Sequence, residues 1–596
     1  MEMHIIDISI IIAYLVIVIF IGFLISKRAG QNIDSYFLGG KSVPWYVLSI
    51  SNASSMFDIT GTMWLVYIIF VYGMKGAWLP WLWPTFNQIF LMVYLSVWIR
   101  RSNVLTGAEW MTTRFGEKRG GELARLVVVI FALVSVIGFL AYGFQGIGKF
   151  ASVFLPWHLS PNMYAVLFMG ITTIYVIMGG MYSVVLTDVI QFIILTIAAV
   201  FIGIIAMIKT SPMQIAANVP HGWSNLFFSW KLHLDWSSLI PAVNNKIVAD
   251  GWSFFTIVFM MMLFKGVLIS MAGPAPNYDM QRVLATRTPK ESALMSGFVS
   301  VALFPRWIMI GGITVLGLVF FSPQMRAMGN NIDFEMILPY VINNFIPVGL
   351  LGFMIAGLLA AFMSTFDSTV NAGAAYLVND IYKRYINPSG SDRQFVIMSY
   401  AASILIVAIG LGFGFMAKSI NSVMQWIVSG LWGGYTAPNF LKWYWWRFNG
   451  YGYFWGMIVG IAAALAFPVF FPALSALNAF PFILLLSGIA CVVASLFTEP
   501  EDENMLKKFY TSIRPWGFWQ PIHEKVIKEN PSFQRNKSFK RDMVNVAVGI
   551  IWQMTLVLVP LYLVFRNFKA MWISVLVMIV TLVFLKMNWF NKLETD

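Results

Sequence analysis

The stretch Ala360–Asn371, reading AAFMSTFDSTVN, places Ser364, Thr365, Asp367, Ser368, Thr369 and Asn371 in the middle of an apolar run from about residue 347 to 378. A carboxylate at bilayer depth costs ~2.5–3.5 kcal/mol on insertion scales, and it is retained where it faces a water-filled path, an ion or a partner group. Read as a helix, positions 361, 364, 365 and 368 share one face, and 364, 367, 368 and 371 share an overlapping one. Ser364 and Thr365 present two hydroxyl oxygens side by side. A hard cation such as Na⁺ wants several oxygens, by the preference that governs Ca²⁺ and Mg²⁺ sites. Carbonyls freed in a broken helix would complete the set, and Ser54 and Phe57 in an interrupted span are the candidate donors. The alternative for any single Ser or Thr is a hydrogen bond within its own helix or to a neighbouring one.

Two further acids lie in apolar surroundings. Asp188 stands at the head of an expected span, where a carboxylate can also serve the helix start. Asp58 lies mid-membrane, in a broken span, where no such role is expected. Lys265 and Arg306 are the buried bases. Lys265 either pairs with Asp58 or snorkels; Arg306 pairs with Asp367 or Asp188; or one of them binds a substrate carboxylate, for which the arginine fork is suited.

These residues are carried by a membrane protein. The 596 residues are 59% hydrophobic and 11% charged, with mean hydropathy +0.75, whereas soluble domains carry about 25% charged residues. Apolar runs of spanning length recur throughout and predict an all-α polytopic protein with about fifteen spans. Lys and Arg cluster after the first span and in alternate loops, including Arg100, Arg101, Arg114, Arg282, Lys383 and Arg384. This places the N-terminus outside and the C-terminus in the cytoplasm, and the chain reads as a bacterial inner-membrane protein. The same bias accounts for the net charge of +13 without a nucleic-acid partner. The single cysteine, Cys491, can form no internal disulfide. His4, His158, His221, His233 and His523 all lie outside the mid-membrane runs with no acid at catalytic spacing, so an enzyme is not expected.

Two spans look interrupted. In the second, residues 51–55 and 58–62 bring small polar residues and Gly61 into an apolar helix. In the seventh, Ser270-Met271-Ala272-Gly273-Pro274-Ala275-Pro276 ends or kinks the helix. Broken helices in corresponding positions of two halves point to inverted repeats with a binding site between them. The organisation is therefore a core over 1–450, with an extra N-terminal span at 6–26, a first repeat over 45–208 and a second over 252–441. Additional spans cover 451–498, a cytoplasmic loop covers 499–544, and two last spans and a short tail cover 545–596. The 499–544 loop mixes acids and bases and reads as solvated; the 209–250 loop is expected to pack over the outer face.

Four segments resemble the sodium:solute symporter family: Tyr36–Trp45, Gly179–Gln191, Asn277–Arg282 with Leu284-Ala285, and Ala360–Asn371 followed by Asn379–Lys383. They occur in the family's order across residues 6 to 450. The resemblance implies a LeuT-like fold with five-plus-five inverted repeats and alternating access. It implies a sodium site on the carbonyls of Ser54, Phe57 and Ala361 and the hydroxyls of Ser364 and Thr365. A second cation site, found in some relatives, falls on Asp188, Asp367 and Ser368. Asp367 stands where those relatives have a hydroxyl, and Asp58 where the family usually has a small hydroxylated residue. Sugar-contact positions appear as Gly61, Ile269 and Leu303, with Gln425 retained. The implied function is sodium-coupled import of a small organic solute, with Asp58, Gly61, Lys265, Ser270, Arg306 and Gln425 as substrate-binding candidates. Lys265 and Arg306 tilt that solute toward a sugar acid or carboxylate. Na⁺ is the coupling ion, with no organic cofactor and no obligatory protein partner. The alternative is a channel or sensor of the same fold, but no pore ring or filter-like repeat is found.

Overall fold

A computed structural model of the protein describes residues 4–29, 33–82, 87–155, 157–227, 229–274, 276, 278–417, 420, 423, 432–471, 474 and 476–593. Their secondary structure is helical, apart from one isolated bridge between Trp445 and Phe518. That is the expected solution for a chain in lipid, because a helix satisfies its backbone polar groups internally. Among the described residues, eleven helices are long and apolar enough to cross a membrane, and Ile5–Val18 and Pro161–Ile174 are shorter apolar helices. In the last part of the expected second repeat, residues 421, 422 and 424–431, including Gln425, lie outside the described residues, as does Asn277 of the third family segment.

The elements that position the site are α1 (Ile5–Ala29), α2 (Trp45–Met56), α3 (Ile59–Tyr72), α4 (residues 87–100), α5 (Arg119–Phe154), α6 (Pro161–Lys209), α7 (Phe255–Ala272), α8 (Tyr278–Ala285), α9 (Pro289–Ala302), α10 (Phe304–Leu316), α11 (Leu350–Ala375), α12 (Asp392–Met416) and α13 (Trp432–Tyr444). Helix α6 packs against α1, α5, α10 and α11. The span expected to begin near Asp188 is joined to the apolar segment before it in this one helix. Gly179 and Gly180 do not end it, since a glycine costs only about 1 kcal/mol relative to alanine in a helix and no proline interrupts the segment. Asp188 therefore lies deep inside a helix whose N-cap is Ser160, and a role at a helix start no longer applies to it.

Both expected breaks are present, the first in a narrower form. Residues 51–55 remain helical in α2, and two of their three hydroxyls find partners there: Ser51 Oγ donates to Asp188 Oδ2, and Ser55 Oγ to the Ser51 carbonyl at 3.1 Å. The helix opens only at Phe57 and Asp58, where ψ turns to 45° and then 153°. The second break follows α7, where Gly273 has φ +98° and Pro274 follows.

The 209–250 segment packs on the bundle as expected. Trp223 and Trp236 are fully buried, and their indole N–H groups donate to the carbonyls of Phe70 and Val71 at 2.9 and 3.2 Å. The 499–544 segment corrects the expectation of a solvated loop. It forms α16 (Glu503–Ile513) and α17 (Gln520–Glu529), after α14 (Gly450–Phe470) and α15 (Ala476–Phe497) and before α18 (Phe539–Val564) and α19 (Phe568–Asn588). Most of its charges face outward while Leu506, Phe509, Ile513, Trp516, Trp519 and Ile522 are buried. The apolar face of each helix outweighs the polar average of the segment.

Candidate functional site

The first break is built around Asp58. Its extended backbone makes it the N-cap of α3, with Oδ2 accepting the Gly61 N–H at 2.7 Å. The cap role that the sequence reading excluded for this mid-span acid is therefore real: the break creates a new helix start, and that start needs an acceptor. Oδ2 also accepts the Tyr142 hydroxyl of α5 at 2.8 Å, and Oδ1 accepts Arg306 Nη2 of α10 at 3.0 Å. Arg306 Nε donates to Thr62 Oγ1 at 3.3 Å, and the guanidinium lies 5.9 Å from the Phe57 ring centre. Arg306 thus pairs with Asp58, not with Asp367 or Asp188.

Gly61 is what lets these groups meet. A Cβ there would lie 2.5 Å from Asp58 Oδ1, 2.7 Å from Arg306 Nη2 and 2.8 Å from the Tyr142 hydroxyl. Asp58, Thr60, Tyr142, Phe362, Thr365 and Thr369 line a narrow cavity with about 10 Å³ of free space, roughly one water molecule. Of the substrate-binding candidates, the structure brings Asp58, Gly61 and Arg306 together. Lys265 is not with Asp58: it is fully buried on α7, its ammonium 5.3 Å from the Phe480 ring centre and without a hydrogen-bond partner among the described residues. Ser270 Oγ, one turn on, is likewise buried without such a partner.

The hydroxyl face of α11 meets α2 and α6. Thr365 Oγ1 donates to the Ser55 carbonyl at 2.6 Å and approaches the Ala361 carbonyl at 3.2 Å. Ser364 Oγ donates to Asp188 Oδ1 at 2.5 Å and lies 3.2 Å from Ser55 Oγ. Ser55, one residue beyond Ser54, is therefore the α2 residue facing Ser364 and Thr365. The Ser54 carbonyl accepts the Phe57 N–H at 3.1 Å, and Ser54 Oγ is buried without a partner among the described residues.

A guanidinium sits in the middle of the second group. Arg282 Nη2 reaches Asp188 Oδ2 at 3.2 Å, Ser55 Oγ at 2.7 Å and Ser368 Oγ at 2.7 Å, and Nε reaches Ser51 Oγ at 3.1 Å. Ser51 Oγ in turn donates to Asp188 Oδ2. The charge bias puts Arg282 in a cytoplasmic loop, yet it is 1% exposed. Its short helix α8 presents it to a fully buried carboxylate, and a buried charge needs such a partner. Of the residues expected to hold a second cation, Asp188 and Ser368 converge on Arg282, while Asp367 accepts the Ser368 N–H at 2.8 Å.

Sequence reasoning missed Ser51, Ser55, Tyr142 and Arg282. The four-residue spacing of Ser51 and Ser55 was a usable signal, since it puts both on one face of α2. Nothing local marks Tyr142.

The family model for the sodium:solute symporter family matches residues 36–460. The chain belongs to that family. It is 24% identical over 503 residues to the sodium/mannose cotransporter of Bos taurus, covering 77% of this chain and 78% of the relative. It is 24% identical to the sodium/glucose cotransporter of Vibrio parahaemolyticus, covering 84% and 92%. In structure it matches the substrate-bound outward-open state of a Na⁺-coupled sialic acid symporter with a TM-score of 0.63 at 19% identity, over 84% of this chain and 99% of that one. This family member accordingly has the LeuT-like fold that its sequence led one to expect, in an integral membrane protein.

Proposed function

We propose that this protein is a sodium-coupled symporter that imports a small, polar, uncharged organic solute by alternating access. The observation that carries the reading is the meeting of the Thr365 hydroxyl with the Ser55 and Ala361 carbonyls beside the first helix break. Three oxygens converge there from two elements, α2 and α11, which suits a hard cation. Ser364, Ser54 and Phe57 flank this place, and Na⁺ is the ion proposed for it. The second cation position is proposed to be held by the chain's own cation, Arg282, so that one Na⁺ moves per cycle.

The solute class follows from charge. Arg306 is neutralised by Asp58, so the pair offers donors and acceptors with no net charge. A neutral polyhydroxylated solute suits that arrangement better than a carboxylate, and this replaces the acidic tilt read from Arg306, while Lys265 lies apart from the pair, against Phe480. Relatives named for mannose and glucose transport support it, and cotransporter relatives do not favour a channel or sensor. The excess of Lys and Arg in alternate loops supports an outer N-terminus and a cytoplasmic 499–544 segment. The division into a 1–450 core with two repeats and added C-terminal spans follows the positions of the two breaks. A thermal-shift screen of neutral and acidic solutes, each in Na⁺ or K⁺, tests the reading. A shift that needs Na⁺ and a neutral sugar or polyol together is expected; shifts confined to acidic solutes would overturn the solute class.

A further inference from the structure

The carbonyls at the end of α7, left without intrahelical partners by the second break, are taken up by aromatic side chains of α13. Tyr444 OH donates to the Met271 carbonyl at 3.0 Å, Trp443 Nε1 to the Ala272 carbonyl at 3.1 Å, and Tyr435 OH to the Pro274 carbonyl at 2.7 Å. The first two of these aromatics are themselves held by the 499–544 segment. Trp516 stacks on Tyr444 with ring centres 4.9 Å apart and planes at 18°. It also meets Tyr94 and Trp98 of α4 at 5.0 and 5.2 Å. Trp519 Nε1 donates to the Trp443 carbonyl at 2.8 Å, and the Phe518 N–H donates to the Tyr444 carbonyl at 2.6 Å.

The approach is too close for a side chain at Gly517. Its φ is +128°, and a Cβ there would lie 2.6 Å from the Tyr444 carbonyl oxygen. Arg114 binds the neighbouring turn, donating to the carbonyls of Lys442, Trp445 and Phe448, with its guanidinium 5.0 Å from the Trp519 ring centre.

We infer that Trp516 and Trp519 are positioning residues for transport: through Tyr444 and Trp443 they hold the broken end of α7 closed on the side that carries the 499–544 segment. This rests on the symporter reading for its role in transport, but its test does not use sodium or solute. Met271→Cys is placed in a Cys491→Ala background, which removes the one native thiol. Its labelling by a membrane-impermeant maleimide, applied to inside-out and right-side-out vesicles, then reports opening at the break.

Trp516→Ala is expected to raise the labelling rate about three- to tenfold from the 499–544 side only, the loss of one aromatic contact, and Trp516→Phe is expected to restore most of the protection. Tyr444→Phe, which removes only the hydroxyl on the Met271 carbonyl, is expected to act in the same direction with less effect. It provides the test if Trp516→Ala does not fold. Labelling unchanged in the variants that fold, or raised equally from both sides, would overturn the inference. Either result would leave sodium-coupled uptake as a separate question.

Discussion

Arg282→Leu removes the cation that faces Asp188 and leaves that carboxylate, 0% exposed, with the hydroxyls of Ser51 and Ser364 as donors. Breaking one partner out of a buried ion pair costs about 3–5 kcal/mol. Hydrogen bonds to a charged group contribute about 1.5–3 kcal/mol each, so the two retained hydroxyls keep the loss near the lower end, about 3 kcal/mol. If Arg282 occupies a cation position, the vacated place has an acid and the oxygens of Ser51, Ser55, Ser364 and Ser368 around it. Na⁺ at 100 times its dissociation constant would then return about 2.7 kcal/mol, most of the deficit.

The assay is thermal unfolding of purified protein across a NaCl series, with choline chloride holding ionic strength constant and KCl run in parallel. The expected result is a variant clearly less stable than wild type without Na⁺ and stabilised by Na⁺ more steeply than wild type. Asp188→Asn/Arg282→Leu should lose this excess response. A variant as stable as wild type in the absence of Na⁺, an equal response to K⁺, or an excess Na⁺ response that persists in the double variant would refute the reasoning.

Three other outcomes follow from the same geometry. Gly61→Ala should abolish uptake and destabilise the protein by about 1–3 kcal/mol through overpacking, because its Cβ meets Asp58, Arg306 and Tyr142 below 3 Å; wild-type uptake would show the cluster to be irrelevant. Asp58→Asn and Arg306→Gln should each lower thermal stability, while the double variant loses less than their sum, with a coupling of about 0.5–3 kcal/mol for groups in contact; additive losses would contradict the pair. Ser364→Ala/Thr365→Ala should raise the sodium concentration for half-maximal uptake in vesicles severalfold, and an unchanged value would remove both hydroxyls from the ion path.

What was legible in the sequence was what local composition controls. Gly273-Pro274 and Asp58 with Gly61 mark breaks because backbone freedom, a missing N–H and polar groups in an apolar run act within a few residues, although the capping role of Asp58 shows only in the structure. The polar run of Ala360–Asn371 marks its own helix as one turned inward, because lipid would reject it, and the run is largely buried. What was not legible depends on distant chain. Asp58 finds Arg306 across 248 residues, and no spacing rule connects α3 to α10. Arg282 follows the charge bias of cytoplasmic loops, yet its helix tucks it under α2 and α6, which the bias cannot reveal. The 499–544 segment looked solvated because its charges dominate an average, although Trp516 and Trp519 determine where it packs. Asp188 reads as the head of a span, whereas α6 runs unbroken through Gly179 and Gly180.

Sodium coupling is tested most directly by uptake of a radiolabelled neutral sugar or polyol, chosen by the thermal-shift screen, into proteoliposomes with and without an inward Na⁺ gradient at matched ionic strength. Accumulation above the external concentration only when the gradient is present, and its collapse when a sodium ionophore dissipates that gradient, is the predicted result. Uptake that proceeds to the same level with K⁺ in place of Na⁺ would contradict the account.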